Sequence, residues 1–351
     1  MSKRAMRVGA GAPTIADVAA ESGFSPMTVS RVINDERNVR EETREAVQRA
    51  IARLNYSPNL AARSLAGAEQ IRIGMVYSNP SAAYLSRFLL GSLEEARLHQ
   101  AQLIIEKSDT GAAADESALR QLLATGAEGV ILSPPLCDSP PILELIADAG
   151  TPAVMIANWS PPGDVLVVRI DDRAAAAAMT RHILALGHRR IAFVMGDPAH
   201  RASSQRLAGF CQTMQAAGVV VAPDLLVQGQ FTYRSGMAAA EYLLNLPQRP
   251  TAIFAGNDDM AAAIVAVAHR RQLSVPADLS VCGFDDTDFA RSIWPELTTI
   301  RQPIAEMAQA AVKMLVGAVR ARRAGRLVGR QEEVLDFELI RRESDGPPPA
   351  G

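Results

Sequence analysis

Apolar positions recur at helical spacing twice near the start of the chain, on either side of a glycine. Ile15, Val18 and Ala19 share one face, and Val29, Val32 and Ile33 share another beyond Gly23. Thr14 followed by Asp17 three residues on is a capping-box start for the first helix. Gly23 stands where the chain must turn sharply, because glycine accepts positive φ without a Cβ penalty. Phe24 packs under that turn. Ser25 can cap the second helix, with Pro26 at its first position, where the missing N–H costs nothing. A third helical pattern follows, and then a small-residue segment ending at Leu65.

From Arg72 the rhythm changes to short apolar runs alternating with longer helical stretches. Strands are predicted at Ile73–Tyr77, Gln102–Glu106, Gly129–Leu132, Ala153–Ile156, Val165–Ile170, Ile191–Met195, Leu225–Gln228, Ala252–Ala255 and Ser280–Phe284. Between them the pattern predicts helices at Ser86–His99, Glu116–Thr125, Arg173–Leu186, Arg206–Ala217, Tyr233–Leu244, Asp258–Arg271 and Ile304–Arg322. Such alternation implies parallel sheets with helices on both faces, and this length holds about two such units. The Ala174–Ala178 run reads as helix.

A helix pair joined by a tight turn is a DNA-reading arrangement, in which the second helix enters the major groove. Pro26, Met27, Ser30 and Arg31 are left facing outward at its start. Arg31 has the forked donor set that matches guanine O6 and N7. Pro26 and Met27 can touch thymine methyls, and Thr28, Ser30 and Asn34 can donate to phosphates. Charge agrees with this placement. The chain has 351 residues and a net charge of −2, yet up to Ser64 it carries ten basic and seven acidic residues. A basic end on an acidic body suits a protein whose head alone meets phosphate.

Composition narrows the classes further. A hydrophobic content of 48% supports a sizeable core. Cys137, Cys211 and Cys282 are scattered without CxxC spacing, which argues against a disulfide framework or a zinc site and for a reducing compartment. There is no secretory h-region and no long apolar span, so a cytoplasmic location without membrane contact is expected. Residues 1–12 and 346–351 are read as disordered tails.

In open α/β sheets, ligands bind beyond the carboxyl ends of strands. Those ends carry Gly256-Asn257-Asp258-Asp259, Gly283-Phe284-Asp285-Asp286, Ala157-Asn158-Trp159, Asp171-Asp172, Gly196-Asp197 ahead of Arg201–Arg206, and Ser78-Asn79 ahead of Tyr84. Amides and carboxylates for hydroxyls, with aromatic faces for C–H surfaces, describe a site for a polyhydroxylated molecule such as a sugar.

The headpiece closely resembles that of the lactose/galactose repressor family, and the resemblance covers nearly the whole chain. In the headpiece the matching residues are Thr14-Ile15-Ala16-Asp17-Val18-Ala19, Gly23, Ser25, Thr28-Val29-Ser30-Arg31-Val32, Asn34, Thr43-Arg44, Leu54-Asn55-Tyr56, Pro58-Asn59, Ala62 and Leu65-Ala66. Further on they are Leu186-Gly187-His188-Arg189-Arg190-Ile191, Arg206-Leu207-Ala208-Gly209-Phe210, Asn257-Asp258, Val281-Cys282-Gly283-Phe284-Asp285-Asp286, Leu297-Thr298-Thr299-Ile300 and Glu338-Leu339-Ile340-Arg341-Arg342.

The resemblance implies an all-α helix-turn-helix headpiece at 13–58, a hinge helix or linker at 59–70, and an α/β core at 71–345. That core would resemble a type I periplasmic binding protein, with two doubly wound lobes joined by three crossovers. The first lobe is expected at about 71–170 and 299–328, the second at about 171–298 and 329–343. DNA contact is implied for Thr14, Ser25, Pro26, Met27, Thr28, Ser30, Arg31, Asn34, Tyr56, Asn59, Ala62, Arg63 and Leu65. Asn59–Leu65 would fold as a hinge helix when two subunits meet on the operator, and Leu65 would wedge into the minor groove. Arg40 departs from the small capping residue common in the family, so helix 3 starts less firmly or Arg40 meets a phosphate. Effector contacts are implied at Arg206, Asn257 and Asp285, then Asn158, Asp171 and Tyr84, then Trp159.

Ordinary roles compete at several of these positions. Asp286 suits a helix cap, and Asp285 could serve as one. Asp258 suits the N-cap of the helix that follows it. His188 reads as a turn or helix-end residue, and Trp159 as core or rim. An enzyme could use the paired aspartates, but adjacent residues point to different sides, and no nucleophile–base set or phosphate loop accompanies them. An exported sugar receptor would leave the headpiece unexplained. The expectation is therefore a homodimeric, cytoplasmic transcriptional repressor, not an enzyme and without metal or cofactor. It would bind near-palindromic duplex DNA under control of a sugar-like effector. Relief of repression by an inducer is the default, and corepression occurs in the same family. The tail shows no heptad pattern for tetramerisation.

Overall fold

The computed structural model describes residues 13–33, 39–54, 56, 70–77, 81–108, 112–158 and 165–349. The contacts divide the chain into one unit up to Gln70 and another from Ile71.

In the first unit, α1 (Ile15–Ser22), α2 (Pro26–Ile33) and α3 (Glu41–Leu54) enclose Val18, Ala19, Val29, Val32, Val47 and Ala50. The local chemistry matches the reading from sequence. Thr14 and Asp17 form a reciprocal capping box, and Gly23 closes α1 at φ 77°. The Ser25 hydroxyl accepts from the Thr28 amide at 3.2 Å, with Pro26 opening α2. Phe24 packs against the core of this unit. The Arg40 carbonyl accepts from the amides of Thr43 and Arg44 as α3 begins.

The second unit contains two sheets. In chain order its elements are β1 (Arg72–Tyr77), α4 (Ala82–Leu98), β2 (Gln102–Lys107), α5 (Ala112–Ala124), β3 (Gly129–Leu132), α6 (Pro140–Ala149), β4 (Ala153–Ile156) and β5 (Leu166–Ile170). Then come α7 (Asp172–Ala185), β6 (Ile191–Met195), α8 (Arg201–Ala216), β7 (Leu226–Gln228), α9 (Tyr233–Leu244), β8 (Ala252–Ala255), α10 (Asp258–Arg270) and β9 (Ser280–Asp285). The chain closes with α11 (Phe289–Ser292), β10 (Thr298–Arg301), α12 (Ile304–Arg323), β11 (Gln331–Leu335) and β12 (Glu338–Ile340).

One sheet runs β11-β5-β4-β3-β1-β2, all parallel. The other runs β12-β10-β9-β8-β6-β7, parallel except for β12 on β10. Fully buried strands such as β3, β4 and β8 explain the unbroken apolar runs.

The chain therefore passes between lobes three times, after β5, after β10 and after β11. This corrects the expected lobe boundaries. Thr298–Arg301 pairs with β9 and belongs to the second lobe, whereas Gln331–Leu335 pairs with β5 and belongs to the first. Neither strand has a continuous apolar run, and β11 is an exposed edge, so periodicity did not mark either one. Helix α6 also escaped the sequence reading, because Pro140-Pro141 looks like a break yet opens the helix. Helix α8 starts at Arg201, five residues early, which places Arg206 inside it.

Two further expectations are corrected, the N-cap of α10 and the start of the C-terminal tail, while His188 stands just past the end of α7 as expected. The N-cap of α10 is Asn257, whose Oδ1 accepts from the Met260 amide at 3.0 Å, and not Asp258. His188 is buried and bonds Thr251 at 2.8 Å, Ser280 at 3.1 Å and the Gly346 carbonyl at 2.8 Å. That same Gly346 donates its amide to Ser280, so the chain from 346 to 349 starts as a packed segment rather than a loose tail. Proline and glycine composition could not reveal a tie made by three distant residues.

Within the first lobe two helices are in close contact. A Cβ added at Gly91 of α4 would lie 2.5 Å from the Ala305 carbonyl oxygen and 2.9 Å from its Cα, both backbone atoms of α12. Gly91→Ala is expected to destabilise the protein by ~1–3 kcal/mol despite alanine's better helix propensity, because two backbones must separate. Urea unfolding would show this as a lower midpoint with an unchanged slope.

Candidate functional site

On α2 the buried positions Val29 and Val32 fix which side faces away from the core of the headpiece. Ser25, Pro26, Met27 and Arg31 lie exposed on that outer side, Met27 at 67%. Thr28 and Ser30 are half-buried, with the Thr28 hydroxyl against Ser25 Oγ at 2.9 Å. Thr14 is engaged in its capping box. Tyr56 packs against the headpiece core. Asn34, Asn59, Ala62, Arg63 and Leu65, with the whole hinge, lie outside the described residues, as does Trp159.

Between the lobes lies a cavity of about 50 Å³, reached from the carboxyl ends of both sheets. Its wall includes Tyr84, Arg206, Asn257 and Asp285 from the sequence expectation. Arg206 is the centre. Its Nε donates to Asp172 at 2.8 Å and its Nη1 to the Gly256 carbonyl at 2.6 Å, with Asp285 at 3.7 Å. The guanidinium lies 3.6 Å from the Phe284 ring centroid, a cation–π contact. Asn257 donates to the Phe231 carbonyl at 3.0 Å. Asp285 accepts from Gln302 at 2.5 Å.

Electrostatics follow from burial. Desolvation raises the Asp285 carboxyl to about 7, against the pull of Arg206 and the Gln302 bond, with Asp259 and Asp172 adding to the rise. Burial, reinforced by the Asp285 charge, pushes the Tyr84 phenol up. Burial takes the His200 imidazole down to about 4, although Asp197 pulls the other way. At neutral pH the cleft thus offers a neutral imidazole, a neutral phenol and one permanent cation. Such a set can donate to and accept from hydroxyls.

Two expected contacts stand elsewhere. Asn158 is buried behind the wall, donating to the Cys137 carbonyl at 2.7 Å and to Asp138 at 3.0 Å. Asp171 caps α7, accepting from the Ala174 amide at 2.8 Å. Its neighbour Asp172 is the residue that reaches Arg206. Asp286 does not cap α11: its carboxylate meets Arg301 at 2.8 Å and Arg342. Ser81, Pro134, Ala157, His200, Ala202, Phe231 and Gln302 also line the cavity and were not singled out. The signal for them was positional. Pro134, Phe231 and Gln302 follow the carboxyl ends of β3, β7 and β10, and none of the three stands in an amide or carboxylate pair.

Two family models match the chain, the bacterial regulatory proteins of the lacI family over residues 14–59 and a periplasmic binding protein-like domain over 180–344. The regulator DegA of Bacillus subtilis is 35% identical over 344 residues, covering 95% of this chain and 98% of DegA. The chain belongs to the lacI family. The purine repressor PurR of Proteus mirabilis is 33% identical, with 95% and 98% covered. Solved structures also match over nearly the whole chain. A complex of the regulator CelR with cellobiose has 30% identity and a TM-score of 0.72, over 95% of this chain and 99% of that one. A Lac repressor dimer on operator with an anti-inducer has 29% identity and a TM-score of 0.74 over the same shares. This lacI-family chain is a DNA-binding transcriptional regulator controlled by a sugar or other small-molecule effector. Among the described residues no helix is long and apolar enough to cross a membrane, and no cluster of three or more His, Cys, Asp or Glu could hold a metal ion.

The raised Asp285 carboxyl makes a signed prediction. Between the ordinary carboxylate range and about 7 the folded chain holds a proton there that the unfolded chain has lost, so stability falls as pH rises through that window. Urea unfolding of wild type and Asp285→Asn from pH 4 to 8 should show the wild type losing ground to the variant up to about pH 7 and level beyond it. A difference independent of pH would place the proton elsewhere.

Proposed function

We propose that this regulator is a cytoplasmic homodimeric repressor whose hold on a near-palindromic operator is set by a polyhydroxylated effector in the cleft between its lobes. The observation that carries this reading is the ring of Arg206, Asp285, Asn257 and Gln302 beside Tyr84 and Phe231, at the carboxyl ends of both sheets. Donors and acceptors around an aromatic face suit hydroxyls on a C–H ring, and the matching CelR structure holds cellobiose.

Dimerisation needs apolar surface. Leu90 and Leu93 on α4 and Trp294 beyond α11 leave it exposed on both lobes. Two headpieces then match two operator half-sites, and the segment 59–65, with Leu65 as a minor-groove wedge, would link them to the core. Arg31 reads bases, while Ser25, Thr28 and Ser30 fix register on phosphates. Asn158 and Asp171 already serve structural partners, so the direct effector contacts proposed are Arg206, Asn257, Asp285 and Tyr84.

Two experiments test this. Arg31→Ala should weaken binding to the operator upstream of the chain's own gene by about 1–3 kcal/mol while sparing random duplex. Equal loss on both in gel retardation would remove the base-reading role. In a thermal-shift screen of mono- and disaccharides, at least one sugar should raise the melting temperature of the wild type and fail to raise that of Asp285→Asn. A panel that moves neither protein would refute the sugar reading.

A further inference from the structure

Helix α4 belongs to the first lobe, packed on α12 through Gly91. It nevertheless reaches into the second lobe from two of its residues, onto segments that flank the cleft. At its N-cap the buried Ser81 hydroxyl donates to Asp259 Oδ2 at 2.7 Å. Less than two turns on, Arg87 reaches the loop after β9. Its Nη1 donates to the Asp286 carbonyl at 2.6 Å and its Nη2 to Asp288 Oδ1 at 2.9 Å.

That loop is unusual in conformation. Asp285 and Asp286 are consecutive non-glycine residues at positive φ, 111° and 53°. Such backbone persists only where its surroundings over-determine it. Here each side chain is held in a different direction. Asp285 goes into the cleft against Gln302 and Arg206, and Asp286 to Arg301 and Arg342. The Thr287 amide donates to the buried Asp258 at 2.7 Å. A change of partner at Asp285 acts on a backbone already strained and pinned on its other sides. The carbonyl of Asp286 is its outlet toward α4.

The outlet is reversible. The Arg87–Asp288 pair borders an open groove of about 540 Å³ lined by Arg87, Arg301, Pro303, Glu306 and Asp336. The Asp288 side chain is 84% exposed. In the single chain water can replace either partner cheaply, unlike at the buried Ser81–Asp259 bond. We propose that Arg87 is a positioning residue that passes the state of Asp285, through the 285–288 loop, to helix α4 and hence to the first lobe. This rests on the cleft being the effector site, and it assigns the route by which that site is read.

The test uses hydrogen exchange on the full chain in four forms: wild type, Asp285→Asn, Arg87→Gln and the double variant. Asp285→Asn is expected to change exchange of the amides of residues 82–90 by about threefold or more when Arg87 is present, and not when it is Gln. Arg323→Gln, which removes an ion pair to Glu128 inside the first lobe, should leave the Asp285 effect intact. A general loss of packing would instead alter β1 and β8 as well. An Asp285 effect of equal size in both backgrounds, or none in either, overturns the latch. The sugar screen is independent: sugars that shift the wild type while the exchange cycle shows no coupling would leave the effector site standing and remove Arg87 from its readout.

Discussion

A permanent cation buried between two lobes organises this molecule. A guanidinium does not give up its proton, so Arg206, with its side chain 7% exposed, must have every donor answered where it stands. Asp172, the Gly256 carbonyl and the Phe284 ring answer it closely, while Asp285 stands farther off at 3.7 Å. Burial above all, with the charges of Asp259 and Asp172 adding to it, keeps a proton on Asp285 near neutrality. A cleft arranged in this way offers donors and acceptors without a large net charge, as a neutral polyol requires.

The same constraint explains why the sequence reading located the site but mistook some of its members. Long apolar strands such as β6, β8 and β9 announce where the sheet ends, and with it Arg206, Asn257 and Asp285. Three adjacent acidic or amide pairs stand at those ends: Asp171-Asp172, Asn257-Asp258 and Asp285-Asp286. In the first two, one residue caps the following helix and the other reaches a distant partner; in the third, both carboxylates reach distant partners. Asp171 caps α7 and Asp172 meets Arg206; Asn257 both caps and lines the cavity while Asp258 holds Thr287 and Thr299. Spacing alone cannot say which member does which, because the choice depends on the direction the chain takes after the strand.

The remaining misreadings share a different cause. β10 and β11 are short, and neither shows an apolar period that a core would impose. They complete sheets begun elsewhere in the chain, so their identity is set by partners about 15 and 165 residues away. Missing them hid Gln302 and misplaced two crossings between the lobes. The capping box of α1 and the glycine turn at Gly23 were legible because every residue involved is local. The partners of His188 were not, since all three come from separate parts of the chain.

A cavity of about 50 Å³ is far smaller than the ~300–1,000 Å³ usual for small-molecule sites. A sugar can therefore enter only as the lobes part. Among the described residues three ties resist that: Ser81 on Asp259, Arg87 on the loop after β9, and Asp138 on Arg201 at 3.2 Å. The Asp138 and Arg87 ties each have one strongly exposed member and the Ser81 tie is buried, so they do not break alike. An effector shifts the opening equilibrium only by the difference between its affinities for the two arrangements. Ties that exchange readily with water keep the required difference small, while the buried one keeps the closed arrangement defined. On this balance a few hydrogen bonds from a hydroxylated ligand suffice to bias the lobes, and α4, which carries two of the three ties, is the element that must respond.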